Sequence, residues 1–297
     1  MTDYLPLPGT PVNELDTPCI VVDLDIAEAN IAKLQAAANE MGVDVRPHFK
    51  TTKSPYWARK QLAAGAIGIC CAKVGEAEVM VEAGVPDVMI TNQVIGASKI
   101  TRMVALARAA NLIVAVDDSS NVQQLSEIAS AAGAELGVIV EINVGQDRCG
   151  VDGDGGVELA RQIAASPGLR FDGLMGYEGH IVAERDYETR KTEAEKSMAV
   201  LLGAADQIRI AGIEVKVVSA SGTGTYSITG KVDGVTELQC GSYIFMDGDY
   251  VDVFDDFAPA LSVLATVVSR QREDLAVADL GLKSISIDRG FADVLSP

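Results

Sequence analysis

The segment Val45-Arg46-Pro47-His48-Phe49-Lys50-Thr51-Thr52-Lys53 sets a lysine where a short apolar run gives way to a loop. A lysine desolvated there has its ammonium form disfavoured and can act as an imine-forming nucleophile. A solvated loop lysine is the plainer alternative. Further along, Ser219-Ala220-Ser221-Gly222-Thr223-Gly224-Thr225 follows another apolar run. Its glycines let backbone N–H groups approach an anion, and its hydroxyls add donors. It lacks the Gly-Lys-Ser/Thr ending of a Walker loop and does not read G-x-G-x-x-G. Gly241-Ser242-Tyr243 supplies a second small-residue turn, so the pair is either an anion cradle or two ordinary tight turns.

The chain has 2 histidines, His48 and His180. They cannot alone form the multi-histidine zinc sites of hydrolases. Tyr177-Glu178-Gly179-His180 can offer a phenol, a carboxylate and an imidazole to one ligand, with a structural histidine as the alternative. Arg148, within Asn143-Val144-Gly145-Gln146-Asp147-Arg148-Cys149-Gly150, can pair with a phenolate or carboxylate, or form a surface ion pair. Lys73, Asn92, Gln93 and Asp117 end other apolar runs. Asp152-Gly153-Asp154-Gly155-Gly156 resembles a calcium loop only in part, because the closing glutamate is missing. The acidic stretch 247–256 reads as a solvated linker.

These positions share a location once the elements are read. Short β-branched runs alternate with segments of helical periodicity, which predicts parallel strands joined by crossover helices. The predicted strands are 43–48, 66–72, 87–91, 112–117, 136–144, 171–177, 214–220 and 237–246, and the helices between them 55–64, 75–83, 97–110, 119–132, 155–165 and 186–210. Asp118 and Ser119 precede the pattern Val122, Leu125, Ile128, Ala132 and Gly133 follows it, a capped amphipathic helix. The fold class is therefore α/β, a (β/α)8 TIM barrel whose active site is expected at the strand C-terminal ends. The loops after the last two strands are its usual phosphate site.

A strand at 19–22 and a helix at 26–41 precede the barrel, and 260–269 and 275–287 alternate like antiparallel strands after it. The domains are expected to be a segment 1–22 pairing with the β-domain, a barrel 23–255, and a partial β-domain 256–297. Roughly forty residues are too few for an independent sandwich. Either the N-terminal segment completes a small sheet or the chain is cut short.

With 297 residues, 48% hydrophobic and 22% charged, the chain can bury a full core. Its 42 acidic against 24 basic residues, net −18, repel phosphate backbones and anionic lipid, so no nucleic acid and no membrane is expected as partner. No apolar stretch reaches the ~18 residues of a membrane span. The first residues lack a basic and apolar leader, and the 5 scattered cysteines read as reduced thiols. A cytoplasmic location is expected.

Thr17-Pro18-Cys19, Arg46-Pro47-His48-Phe49-Lys50-Thr51, Gly68-Ile69-Cys70-Cys71-Ala72-Lys73-Val74-Gly75-Glu76-Ala77, Gly176-Tyr177-Glu178-Gly179-His180 and Ser221-Gly222-Thr223-Gly224-Thr225-Tyr226 together resemble the D-threonine aldolase and D-serine dehydratase family. This is the alanine-racemase-like group of fold-type III pyridoxal-phosphate enzymes. The resemblance implies that Lys50 carries pyridoxal 5'-phosphate as an imine. By the same resemblance Ser221, Gly222, Thr223, Gly241 and Ser242 form the phosphate cup, Arg148 and Tyr177 bond the polar atoms of the cofactor ring, and His180 lies near the substrate. Asn92 or Gln93 faces the cofactor. The implied activity is a lyase on D-3-hydroxy amino acids, retro-aldol cleavage giving glycine and an aldehyde. Dehydration to ammonia and a 2-oxo acid, a racemase and a non-catalytic cofactor carrier are the alternatives.

The small-molecule D-amino acid is the implied partner, with a homodimer. A divalent metal, Mn or Zn, is implied by the family alone. Its His-x-Asp or His-x-Cys pair lies in the C-terminal β-domain, and no metal ligand is assigned in this chain. Family members commonly read Lys-Thr-His-Lys where this chain reads Lys50-Thr51-Thr52-Lys53, so a histidine beside the lysine is absent.

Overall fold

A computed structural model describes residues 5–288 and 290–295. In chain order its elements are β1 (Cys19–Val22), α1 (Leu24–Met41), β2 (Asp44–Val45), α2 (Pro55–Ala64), β3 (Ile69–Cys71), α3 (Val74–Glu82), β4 (Asp87–Gln93), α4 (Ala97–Leu106), β5 (Asn111–Val116), α5 (Ser119–Ala132) and β6 (Leu136–Glu141). There follow α6 (Gly153–Ala165), β7 (Leu169–Gly176), α7 (Tyr187–Ile210), β8 (Val217–Ala220), α8 (Tyr226–Thr229), β9 (Glu237–Leu238), α9 (Gly248–Val251), β10 (Leu261–Leu264), β11 (Val267–Arg272) and β12 (Leu275–Ala278).

The central sheet has 8 strands in the order β2-β9-β8-β7-β6-β5-β4-β3, all neighbours parallel. Its two edges meet: His48 bridges Cys70, the Cys70 N–H donates to Pro47 O at 2.9 Å, and the Phe49 N–H donates to Cys70 O at 2.8 Å. The sheet is thus a closed (β/α)8 barrel, and closure leaves no unpaired edge for another chain to add to. β2 and β9 are short because Pro47 has no N–H to give and because a 3-10 turn at Ser242–Ile244 takes the chain away from the predicted strand 237–246.

Helix ends follow their local chemistry. Asp118 Oδ1 accepts from the N–H groups of Ser120 (2.8 Å) and Asn121 (3.2 Å), and Gly133 closes α5 at φ +61°. Val122, Leu125 and Ala129 then face the barrel. Inside the lumen, alternate strand residues Cys70, Met89, Ile113, Ala115, Ile139 and Met175 form a separate apolar layer. Below it Arg46 is buried between Asp87 and Glu237, 3.1 Å from Glu237 Oε1. A Cβ on Gly68 would come within 2.3 Å of the Arg46 guanidinium, so glycine is required there. The filled lumen leaves the strand C-terminal ends as the concave face.

β1 pairs antiparallel with β10, from Cys19 opposite Leu264 to Val22 opposite Leu261, and β11 pairs antiparallel with β12. The strand expected over 275–287 ends at Ala278, where its pairing to Val267 ends. Among the described residues, no helix is long and apolar enough to cross a membrane.

Candidate active site

A cavity of about 220 Å³ opens at the strand C-terminal ends. Lys50, Arg148, Tyr177, Ser221, Gly222, Thr223, Gly241 and Ser242 all line it, though they come from five different strand ends. Lys50 keeps surface open to the cavity, yet the surrounding walls desolvate its amine, and this, with the Arg148 charge, lowers its pKa. Its Nζ lies 5.6 Å from the centre of the Tyr177 ring, and the Arg148 guanidinium lies 5.8 Å from the same ring. Burial, followed by the Glu178 charge, pushes the Tyr177 phenol up to about 12, so it remains a donor at neutral pH.

Beneath Lys50 is His48, only 8% exposed. Its Nδ1 accepts from the Lys50 backbone N–H at 3.3 Å, which leaves the ring proton on Nε2 to be donated to Thr91 Oγ1 at 3.1 Å. Thr91 in turn donates to Cys71 O at 3.4 Å. Burial, then the Lys50 and Arg148 charges, lowers the His48 pKa from 6.5 to about 3. Between these values the unfolded chain binds a proton that the folded chain does not, so stability rises with pH across that window and is lost as pH falls below 6.5. Acidifying from pH 7 to pH 5 is expected to cost about 2 kcal/mol through this residue. Urea unfolding of wild type and His48→Asn at both pH values checks it, since equal losses would place His48 outside this account.

The cradle that shares this cavity is organised from behind. Glu178, fully buried, accepts from Thr225 Oγ1 (2.7 Å), Thr229 Oγ1 (2.6 Å) and the Ser221 N–H (3.1 Å). It therefore faces the loop, not the cavity. Ser221 is held at φ +79°, and the Gly222 N–H is taken by Thr225 Oγ1 at 3.2 Å. The N–H groups of Thr223, Gly241 and Ser242 have no acceptor among the described residues. A Cβ on Gly222 would come 3.0 Å from the Tyr177 ring, and one on Gly241 would come 2.8 Å from Thr51 Oγ1. Both turns thus bring bare backbone to the cavity wall, which suits a phosphate group.

Two expected site residues lie elsewhere. His180 is exposed, packs beside Gly145 and does not line the cavity. Gln93 faces a neighbouring groove and donates from Nε2 to Glu141 at 2.6 Å. The β4–β5 register shifts between Ile90 and Gln93, and such a bulge re-aims the side chain. Asn92 borders both spaces, Lys73 lines the groove, and Asp117 accepts from the Gly150 N–H at 2.9 Å, tying down the loop that carries Arg148.

Tyr250 also lines the cavity. The acidic stretch around it is not a plain linker: Asp247 caps α9 by accepting from the Tyr250 N–H at 2.9 Å. Among the described residues, no group of three or more His, Cys, Asp or Glu side chains could hold a metal ion.

The family model of the alanine racemase N-terminal domain matches residues 22–249, and a serine dehydratase domain model matches residues 260–296. The chain is 41% identical to a D-threonine aldolase of Arthrobacter sp over 288 residues, 95% of this chain and 76% of that protein. It is 38% identical to a 3-hydroxy-D-aspartate aldolase of Paracoccus denitrificans over 301 residues, 97% of this chain and 78% of that protein. The solved structure of D-threonine aldolase from Filomicrobium marinum superposes with a TM-score of 0.92 at 41% identity, covering 94% of this chain and 76% of that one.

Proposed function

Because this chain belongs to the alanine racemase N-terminal domain family, we propose that it is a pyridoxal-phosphate-dependent lyase that cleaves D-3-hydroxy amino acids to glycine and an aldehyde. The observation that carries the reading is that a desolvated lysine, Lys50, shares one cavity with two glycine turns that have unclaimed N–H groups. An amine for the aldehyde, a cradle for the phosphate and a protonated phenol are the groups this cofactor needs. The residues present fit it.

When bound, the cofactor accepts the electron pair of the bond broken at Cα. Lys50 Nζ would be the amine that holds it. Retro-aldol cleavage takes a proton from the 3-hydroxyl and returns one to Cα, and Lys50 Nζ, as a neutral amine, would accept the first and, so protonated, supply the second. Burial and the Arg148 charge favour the neutral amine, which suits Lys50 to bond the cofactor aldehyde and to accept the hydroxyl proton. Thr223, Gly241 and Ser242 N–H groups would bind the phosphate, and Arg148, over the Tyr177 ring, would receive an anionic oxygen of cofactor or substrate. Neutral His48 supports the Lys50 backbone without adding positive charge beneath it. The described residues do not form a metal centre, and no step here is assigned to one.

The match of residues 260–296 to a serine dehydratase domain favours a second reading, in which Lys50 Nζ takes the α-proton and the 3-hydroxyl leaves. Product analysis decides between them. D-Threonine with pyridoxal phosphate, with and without divalent metal, is expected to give glycine and acetaldehyde, and L-threonine neither. Ammonia with 2-oxobutanoate would reverse the order of the two readings.

A further inference from the structure

Glu141, the last residue of β6, interrupts an otherwise apolar, fully buried strand. It is 4% exposed, does not line the cavity, and has no part in the steps above. One carboxylate oxygen, Oε2, accepts from Gln93 Nε2 at 2.6 Å, and the other, Oε1, stands 3.9 Å from Arg148 Nη2. Gln93 Oε1 is buried without a partner. A buried carbonyl left so is uncommon. Turning the amide over would set that oxygen against an ionised carboxylate, so the charge of Glu141 dictates the orientation of Gln93. Burial raises the Glu141 pKa, with Gln93 and Arg148 the groups that oppose the rise.

Arg148 is the opposite case, a half-exposed guanidinium on a long stem in a loop. At the cavity it also meets the Tyr177 ring face and the Cys149 thiol. A ring attracts a cation over its whole face and gives it little direction, whereas a fixed carboxylate gives it one. We infer that Glu141, itself held by Gln93, is a positioning residue that fixes Arg148 over Tyr177 and so sets the affinity for the anionic group Arg148 receives. The inference rests on the reading of Arg148 as an anion-binding residue.

The test is a double-mutant cycle on the cofactor-loaded enzyme with Glu141→Gln and Arg148→Ala, read as the apparent Kd of D-threonine from the change in cofactor absorbance. Glu141→Gln is expected to weaken binding about tenfold in wild type and by less than about twofold when Arg148 is already alanine. Glu141→Asp should recover part of the loss. Equal losses in both backgrounds would assign Glu141 to general stability and overturn the inference. The readout needs no turnover, so the two failures separate: a coupled cycle without lyase products counts against the proposed function alone, and products with an additive cycle count against Glu141 alone.

Discussion

Replacing Lys50 by alanine is expected to abolish the pyridoxyl label that borohydride fixes on the Lys50 peptide and to lower product formation by about a thousandfold or more. Lys50 is the one lysine among the residues that line the cavity. Lys53 and Lys73 lie close in sequence or space but line the neighbouring groove, and Lys53 sits at φ +46°, where the turn carries the chain away from the mouth. Neither can take the role by a rotamer change. Lys50→Arg makes the distinction sharper. It keeps a positive charge near Tyr177, and a guanidinium stays protonated across the working range and forms no stable bond to the cofactor aldehyde. Both variants should lose the label, while the phosphate cradle still retains some non-covalent cofactor. Peptide mapping after reduction checks the claim, and a label persisting at full stoichiometry on another cavity peptide would remove Lys50 from it.

The barrel was readable because short β-branched runs alternate with segments of helical periodicity, and because a helix such as α5 is marked at both ends, by Asp118 and Gly133. Knowing that strands are parallel and closed is enough to gather Lys50, Tyr177, Gly222 and Ser242 at one mouth, since every strand end faces the same side. His180 and Gln93 lie outside the cavity lining for a different reason. His180 follows Gly179 in a loop past the end of β7, where strand alternation no longer says which way a side chain points. Gln93 lies beyond a register shift that periodicity cannot reveal. Glu141 did carry a signal, a lone carboxylate in the apolar run Leu-Gly-Val-Ile-Val-Glu-Ile, because an unpaired charge is rarely buried. Tyr250 carried none: it sits in an acidic stretch, and a capped helix of four residues, α9, turns it to the cavity. The strand expected over 275–287 shows the limit from the other side, since alternation makes a strand only where a partner supplies hydrogen bonds.

Glu178→Ala is expected to dismantle the phosphate cradle without touching the cavity surface. The carboxylate is fully buried and is the acceptor for two hydroxyls, Thr225 and Thr229, and for the Ser221 N–H. Each buried donor left without an acceptor costs about 1–3 kcal/mol, so the variant should lose on the order of 3–5 kcal/mol in stability unless water enters. The hydroxyls can rotate to other acceptors, but the Ser221 N–H cannot, because the backbone there is already held at φ +79°. The loop from Ser221 to Thr225 should therefore shift, carrying the Thr223 N–H with it. That predicts a loss specific to the phosphate: affinity for pyridoxal phosphate falls by about a hundredfold, whereas affinity for pyridoxal, which lacks the phosphate, changes little. Glu178→Gln separates charge from shape. Its remaining oxygen can keep the Ser221 N–H while the two hydroxyls turn to accept from its amide, so it should retain most of the stability. Titration of both cofactor forms into both variants, with urea unfolding alongside, measures every part of this. A Glu178→Ala protein that loses pyridoxal and pyridoxal phosphate equally would mean that Glu178 supports the barrel end as a whole and not the cradle.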